Sequence, residues 1–148
     1  MSQHPSPASG FLRPLPLAAM VLLAVNDHVL KGSAPGWLTG KLSDVAGMVF
    51  FPLLLQAGVE LVLDWMGRDW GPSRRLLVGC AVATAVVFGA VQVLPLATDA
   101  YRWGLGALQW PVQAVPSYVQ GHGLPGLRAV AVTPDPTDLL TTPFVLVA

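Results

Sequence analysis

Residues 76–98, LLVGCAVATAVVFGAVQVLPLAT, form a run of 23 positions without a formal charge. As an α-helix rising 1.5 Å per residue the run measures about 30–34 Å, which matches the hydrocarbon thickness of a bilayer. Gly79, Ala83 and Ala90 lie along it, and small residues of this kind let helices approach closely in lipid. Arg74-Arg75 precede it as a membrane-flanking anchor. Pro95 marks its end.

The rest of the chain agrees with that solvent. Of its 148 residues 53% are hydrophobic and 11% charged, against about 25% charged in a typical soluble domain. The mean hydropathy is +0.60. The 8 basic and 8 acidic side chains cannot cover the surface of a small water-soluble domain. The expected class is therefore all-α: a small transmembrane helical bundle whose first partner is the lipid bilayer. A balanced charge with no basic block excludes nucleic acid as a partner. Cys80 stands alone in an apolar run, so it forms no internal disulfide and reads as packing.

Working outward, residues 1–12 (MSQHPSPASGFL) read as a disordered polar tail, and 13–148 as one transmembrane domain. A first span covers about 15–30, opened by Pro14 and Pro16 and closed by Asn26-Asp27-His28. It reads as a retained span, because those polar residues stand where a secretory signal has a small-residue cleavage site. Sixteen residues give about 24 Å, short of the usual 30 Å, so the polar end lies at the interface or the helix is longer.

KGSAPGWLTGK (31–41) reads as a turn region, with Trp37 as an interfacial anchor and Ser43 or Thr39 as a cap. The second span is 42–63. It contains Pro52, and it carries Gln56 and Glu60 four apart on one face, with Gln56 turned toward protein. A hydrophilic hairpin, DWMGRDWGPSRR (64–75), joins it to the third span.

Residues 99–124, rich in Trp, Tyr, Gly and Pro, contain no helix-like piece long enough to span. They read as an interfacial or partly re-entrant segment, or as a loop packed on the bundle. The Pro134–Asp138 stretch breaks the chain. The C-terminal apolar segment 138–148 reads as a short helix of about 15 Å, either half-inserted or a truncated fourth span. No internal repeat is present.

Alternate crossing gathers the unusual side chains on one membrane face. Asn26, Asp27, His28, Lys31, Lys41, Ser43, Asp44, Asp99, Arg102, His122, Asp135, Thr137 and Asp138 fall there, opposite Arg13 and the 64–75 hairpin. Lys31 follows Asp27 by four residues in the favourable order for an ion pair, and Lys41 with Asp44 makes a second local pair. In the structural reading these pairs only fasten helix ends. In the functional reading Asp27, His28, Asp44 and Asp138 converge to hold a divalent cation or to supply an acid and a base. His122, between Gly121 and Gly123, is a further candidate ligand. No cofactor other than that cation is indicated, and the nucleotide, zinc-protease and serine-hydrolase motifs are absent. Gln56 and Glu60 are the intramembrane polar residues. Basic residues tie at four per side, so the positive-inside rule alone leaves orientation open.

NDHVLK (26–31), PGWLTGKLSDVAGMVFFPLLL (35–55) and DPTDLL (135–140) resemble segments of small polytopic bacterial membrane proteins for which no activity is established. The layout is also similar to that of VanZ-like membrane proteins, which place acidic and amide residues near span ends. The resemblance covers about a quarter of the chain and implies a compact helical bundle in a bacterial inner membrane, with a polar cluster on one face. No VanZ-type motif carries residue roles across, and the C-terminus is shorter than a four-span member would have. Three functions follow as expectations: an accessory subunit or binding module with a membrane-protein partner or a second copy of itself; a membrane-embedded hydrolase of lipid-linked or phosphorylated substrates; an oligomeric transporter.

Overall fold

A computed structural model describes residues 8–34, 36–68, 71 and 73–148. The described residues contain helices and no strand. Three helices are long and apolar enough to cross a membrane: α1 (Pro14–Ser33), α2 (Trp37–Trp65) and α3 (Arg74–Val93). They are followed by α4 (Pro95–Val119) and a C-terminal 3-10 helix (Pro136–Val147). The all-α transmembrane class expected from composition is the class found.

The chain divides into two compact units. The first takes in the chain through Val86 together with Thr137–Ala148, and the second is Val87–Pro136. In the first unit α1 and α2 pack antiparallel. The end of α1 meets the start of α2 through Asn26 and Thr39, and the residues ahead of α1 meet the middle of α2 through Phe11 and Phe50, whose rings lie 5.3 Å apart edge to face. The seam is built from small or compact side chains: Pro16 and Ala19 on α1, and Ala46, Gly47, Met48, Val49, Pro52 and Ala57 on α2. That is how helices associate where lipid supplies no hydrophobic drive. Outward-facing leucines and valines, such as Leu54, Leu55, Val82 and Val86, stay exposed. Pro52 is buried within a helix that continues through it.

Several boundaries differ from the sequence expectation, each for a local reason. The first span runs on to Ser33 rather than Leu30. Its 20 residues reach about 30 Å, which removes the shortfall. A π turn over Asn26–Leu30 carries the helix past the polar triplet, with the Lys31 N–H bonded to the Asn26 carbonyl. The turn region expected at 31–41 is mostly helix. The α2 helix starts at Trp37, capped by Gly36, and the Thr39 hydroxyl accepts the Gly36 N–H at 3.1 Å. Lys41, Ser43 and Asp44 therefore project from helical turns.

The third span is Arg74–Val93 rather than 76–98. Leu94 is extended, as a residue before proline tends to be, and Pro95 opens α4 at its first position. Of the tail expected at 1–12, residues 1–7 lie outside the described residues. Ser9–Leu12 form a 3-10 turn, and the Ala8 N–H bonds Glu60. His4, Pro35, Asp69, Trp70 and Pro72 also lie outside them.

In the second unit the expected interfacial segment or loop is a continuous 25-residue helix, α4, which passes through Pro111 and Pro116. It is not among the helices apolar enough to span. Beyond it the chain reverses at Gly121 and Gly123, whose φ values of 76° and 77° lie in the left-handed region that glycine tolerates. It then returns along α4 as an extended strap.

The strap is fixed at each step. Ser117 donates to the Gly123 carbonyl at 2.8 Å, the Trp110 indole to the Pro125 carbonyl at 2.7 Å, and the Val130 N–H to the Arg102 carbonyl at 3.1 Å. Residues 102, 106, 110 and 117 share one helix face. Gly106 allows the close approach, because a Cβ there would lie 2.1 Å from the Arg128 carbonyl oxygen.

Gly106→Ala is therefore expected to displace the strap and lower stability by about 1–3 kcal/mol. Gly104→Ala, which has nothing within 4 Å, should change it little. Thermal unfolding in detergent compares the two, and equal melting temperatures would remove the strap's dependence on Gly106.

Candidate functional site

The end of α1, the first two turns of α2 and the start of the C-terminal 3-10 helix meet in the first unit. Two polar clusters occupy the meeting point. Polar atoms that packing shuts away from water and headgroups at a span end are costly without a partner within the protein.

The first cluster is centred on Asn26, which is fully buried. Its amide donates at 2.6 Å to the Thr39 carbonyl and at 2.6 Å to the Ser43 hydroxyl. Ser43 donates in turn to Asp27 at 2.7 Å, and Lys31 pairs with the same Asp27 oxygen at 2.7 Å. The Asp27–Lys31 pair is the one that the spacing of four predicts. It is the outer edge of the cluster, with side chains 45% and 43% exposed.

The second cluster is centred on Lys41, which is also buried. Its ammonium donates to the Thr137 hydroxyl at 2.6 Å and to the Asp138 carboxylate, and it lies 5.7 Å from the centre of the Trp37 ring, a cation–π distance. The expected local pair of Lys41 with Asp44 becomes a cluster of three. Lys41 is bonded to Asp138, while the Asp44 carboxyl is in hydrogen-bonding contact with Asp138 and in the field of Lys41. The Thr141 hydroxyl bonds the Asp138 carbonyl at 2.7 Å and holds that first 3-10 turn. Two enclosed oxygens, Asn26 Oδ1 and Asp44 Oδ2, accept no hydrogen bond among the described residues.

The structure thus brings residues 26–44 and 137–138 to one end of the helix pair, as alternate crossing requires. It does not gather Asp27, His28, Asp44 and Asp138 into a metal centre. Among the described residues no three His, Cys, Asp or Glu side chains are grouped to hold an ion. The reason is local. The Asp27 carboxylate is engaged by Lys31 and Ser43, and that of Asp138 by Lys41. His28 is exposed, and its side chain makes no hydrogen bond among the described residues. Asp99, Arg102, His122 and Asp135 belong to the second unit.

Gln56 and Glu60 share a face as their spacing predicts. Gln56 donates to Glu60 at 2.8 Å, and the Ala8 N–H reaches the other Glu60 oxygen at 3.0 Å. Glu60 is buried.

From the sequence, Thr137 or Asp135 reads as a cap for the C-terminal helix and Asn26 has no role, whereas the structure bonds Thr137 to Lys41 and Asn26 to Thr39 and Ser43. An amide at the inner edge of an apolar span was the available signal for Asn26, since an amide facing lipid is unfavourable. Comparison with protein-family models, with curated proteins and with solved structures gives no match.

Side-chain exposures of 10% and 15% make Lys41–Asp138 a nearly buried pair. Asp138→Asn or Lys41→Met alone is expected to destabilise by about 3–5 kcal/mol, and the Lys41→Met/Asp138→Leu double variant to recover much of that loss. Lys31→Gln, at the exposed pair, should cost under about 1 kcal/mol. Melting temperatures in one detergent test the order. A harmless Asp138→Asn would mean that the pair does not hold the C-terminal segment.

Proposed function

We propose that this chain is a non-catalytic membrane protein, an accessory subunit or binding module. In this reading its polar clusters keep α1, α2 and the C-terminal segment in one arrangement, for a membrane-protein partner or for a second copy of the chain. The observation that carries the reading is the occupation of the ionisable candidates by contacts within and between helices. Lys41 is bonded to Thr137 and Asp138, and Asp27 to Lys31 and Ser43. The hydrolase reading needs several carboxylates in one ligand shell, and the described residues form no such group.

The setting that fits is a bacterial inner membrane with the 64–75 hairpin in the cytoplasm. Support for that orientation comes from the Arg74-Arg75 pair abutting α3.

A second reading, an oligomeric transporter of a small ion or solute, draws on Glu60. Among the described residues this carboxylate is buried in a span with an amide and a backbone N–H as its donors. Intramembrane carboxylates of this kind mark ion or proton paths in many transporters.

Asp27→Asn, Asp44→Asn and Asp138→Asn are expected to lower the yield of monodisperse protein, and neither bound metal nor hydrolysis should depend on them. Purification yield with metal content measured on the same samples checks this. Normal yields together with loss of a metal-dependent signal would overturn the reading. In proteoliposomes, a cation or proton flux abolished by Glu60→Gln would favour the transporter instead.

A further inference from the structure

At the junction of α3 and α4 the second unit has an open cleft of about 250 Å³. Its walls are apolar at Val93, Pro95, Val132 and Pro134, and its polar rim carries Asp99 and Arg102. These two form a loose ion pair at 3.3 Å, with the arginine side chain 39% exposed and the aspartate 62%. An exposed pair of this kind is weak, so a ligand displaces it at little cost. The arginine is nevertheless held in place, because its Nε donates to the strap carbonyl of Val130 at 3.1 Å. Among the described residues Nη2 of Arg102 and Oδ2 of Asp99 take no hydrogen bond. The rim therefore offers one cationic donor and one anionic acceptor a few ångströms apart.

The level of the cleft along the membrane normal follows from α3. Its 20 residues measure about 30 Å, one hydrocarbon thickness, with Arg74-Arg75 at one end and Val93 at the other. Val93 and Pro95 therefore lie where acyl chains give way to headgroups. Val93, Leu94 and Leu96 are exposed beside the cleft. A ligand there meets apolar surface on the membrane side and a paired acid and base on the water side.

We propose that the Val93–Arg102 cleft binds a phosphoethanolamine group, with the phosphate on Arg102 and the primary ammonium on Asp99. Guanidinium binds phosphate oxygens through directed N–H donors. The carboxylate selects an ammonium that carries N–H donors, which a choline group lacks and a glycerol headgroup replaces with neutral hydroxyls. The same chemistry is available from a phosphatidylethanolamine headgroup and from free phosphoethanolamine.

Native mass spectrometry of the full chain in detergent, with phosphatidylethanolamine, phosphatidylcholine and phosphatidylglycerol at equal concentration, tests the site. The ethanolamine lipid is expected to be retained over the choline lipid by about tenfold or more. Asp99→Asn should bring the two to parity, and Arg102→Gln should reduce retention of all three. Asp99 makes no hydrogen bond to the strap, so its variant keeps the test decisive if Arg102→Gln loses its fold.

Displacement of the lipid by equimolar free phosphoethanolamine would identify a soluble ligand, and failure to displace it a lipid. Either result supports the site. Equal retention of ethanolamine and choline lipids by the unaltered protein, or unchanged preference in Asp99→Asn, would overturn it.

Discussion

Lipid gives no hydrogen bonds, so a polar side chain buried between helices at a span end is held by partners within the protein. Lys41 is the clearest case. It lies in the second turn of α2, buried, with Trp37 beneath its ammonium and Thr137 and Asp138 bonded to it. That requirement fixes where the C-terminal segment goes. The chain leaves the first unit at Val86 and returns at Thr137, and its first residues on returning are those that Lys41 holds. Asn26 plays the same part between α1 and α2, joining the π turn of one helix to the Thr39 carbonyl and Ser43 hydroxyl of the other.

The two units meet the demand by different means. In the first, side-chain clusters hold one end of the α1–α2 pair, while small residues fill the seam. In the second, backbone carbonyls of an extended strap take side-chain donors from one face of α4, and a missing Cβ at Gly106 allows the approach. Side-chain pairing permits a contact between segments far apart in sequence. Backbone pairing needs continuous proximity, which the reversal at Gly121 and Gly123 supplies.

The spans were legible because their signal is additive: a run of some twenty apolar residues outweighs any single exception. The Asp27–Lys31 pair was legible because helical spacing alone determines it. The start of α2 was not. Residues 31–41 read as a turn region, whereas the structure makes Gly36 the cap and leaves Gly40 inside the helix. Helix α4 was hidden for a related reason. Pro111 and Pro116 read as breakers, whereas the helix runs through both, with Trp110, Ser117 and the Arg102 carbonyl bonded to the returning strap at residues 123–130. The partner of Lys41 was also beyond local reading. Asp44 lay three residues away, while Asp138 reaches Lys41 only through a tertiary fold that spacing does not encode.

The Lys41–Asp138 contact joins residues 97 positions apart. At a synthesis rate of about 5–20 residues per second, some 5–20 s pass between the emergence of the two partners from the ribosome. During that interval α1 and α2 can insert, but the lysine that will be buried has no aspartate to meet. It must remain hydrated at the membrane surface, or in the insertion machinery, until the first turn of the C-terminal helix arrives. Assembly of the first unit is thereby ordered in time, with the helical hairpin first and the C-terminal clasp last.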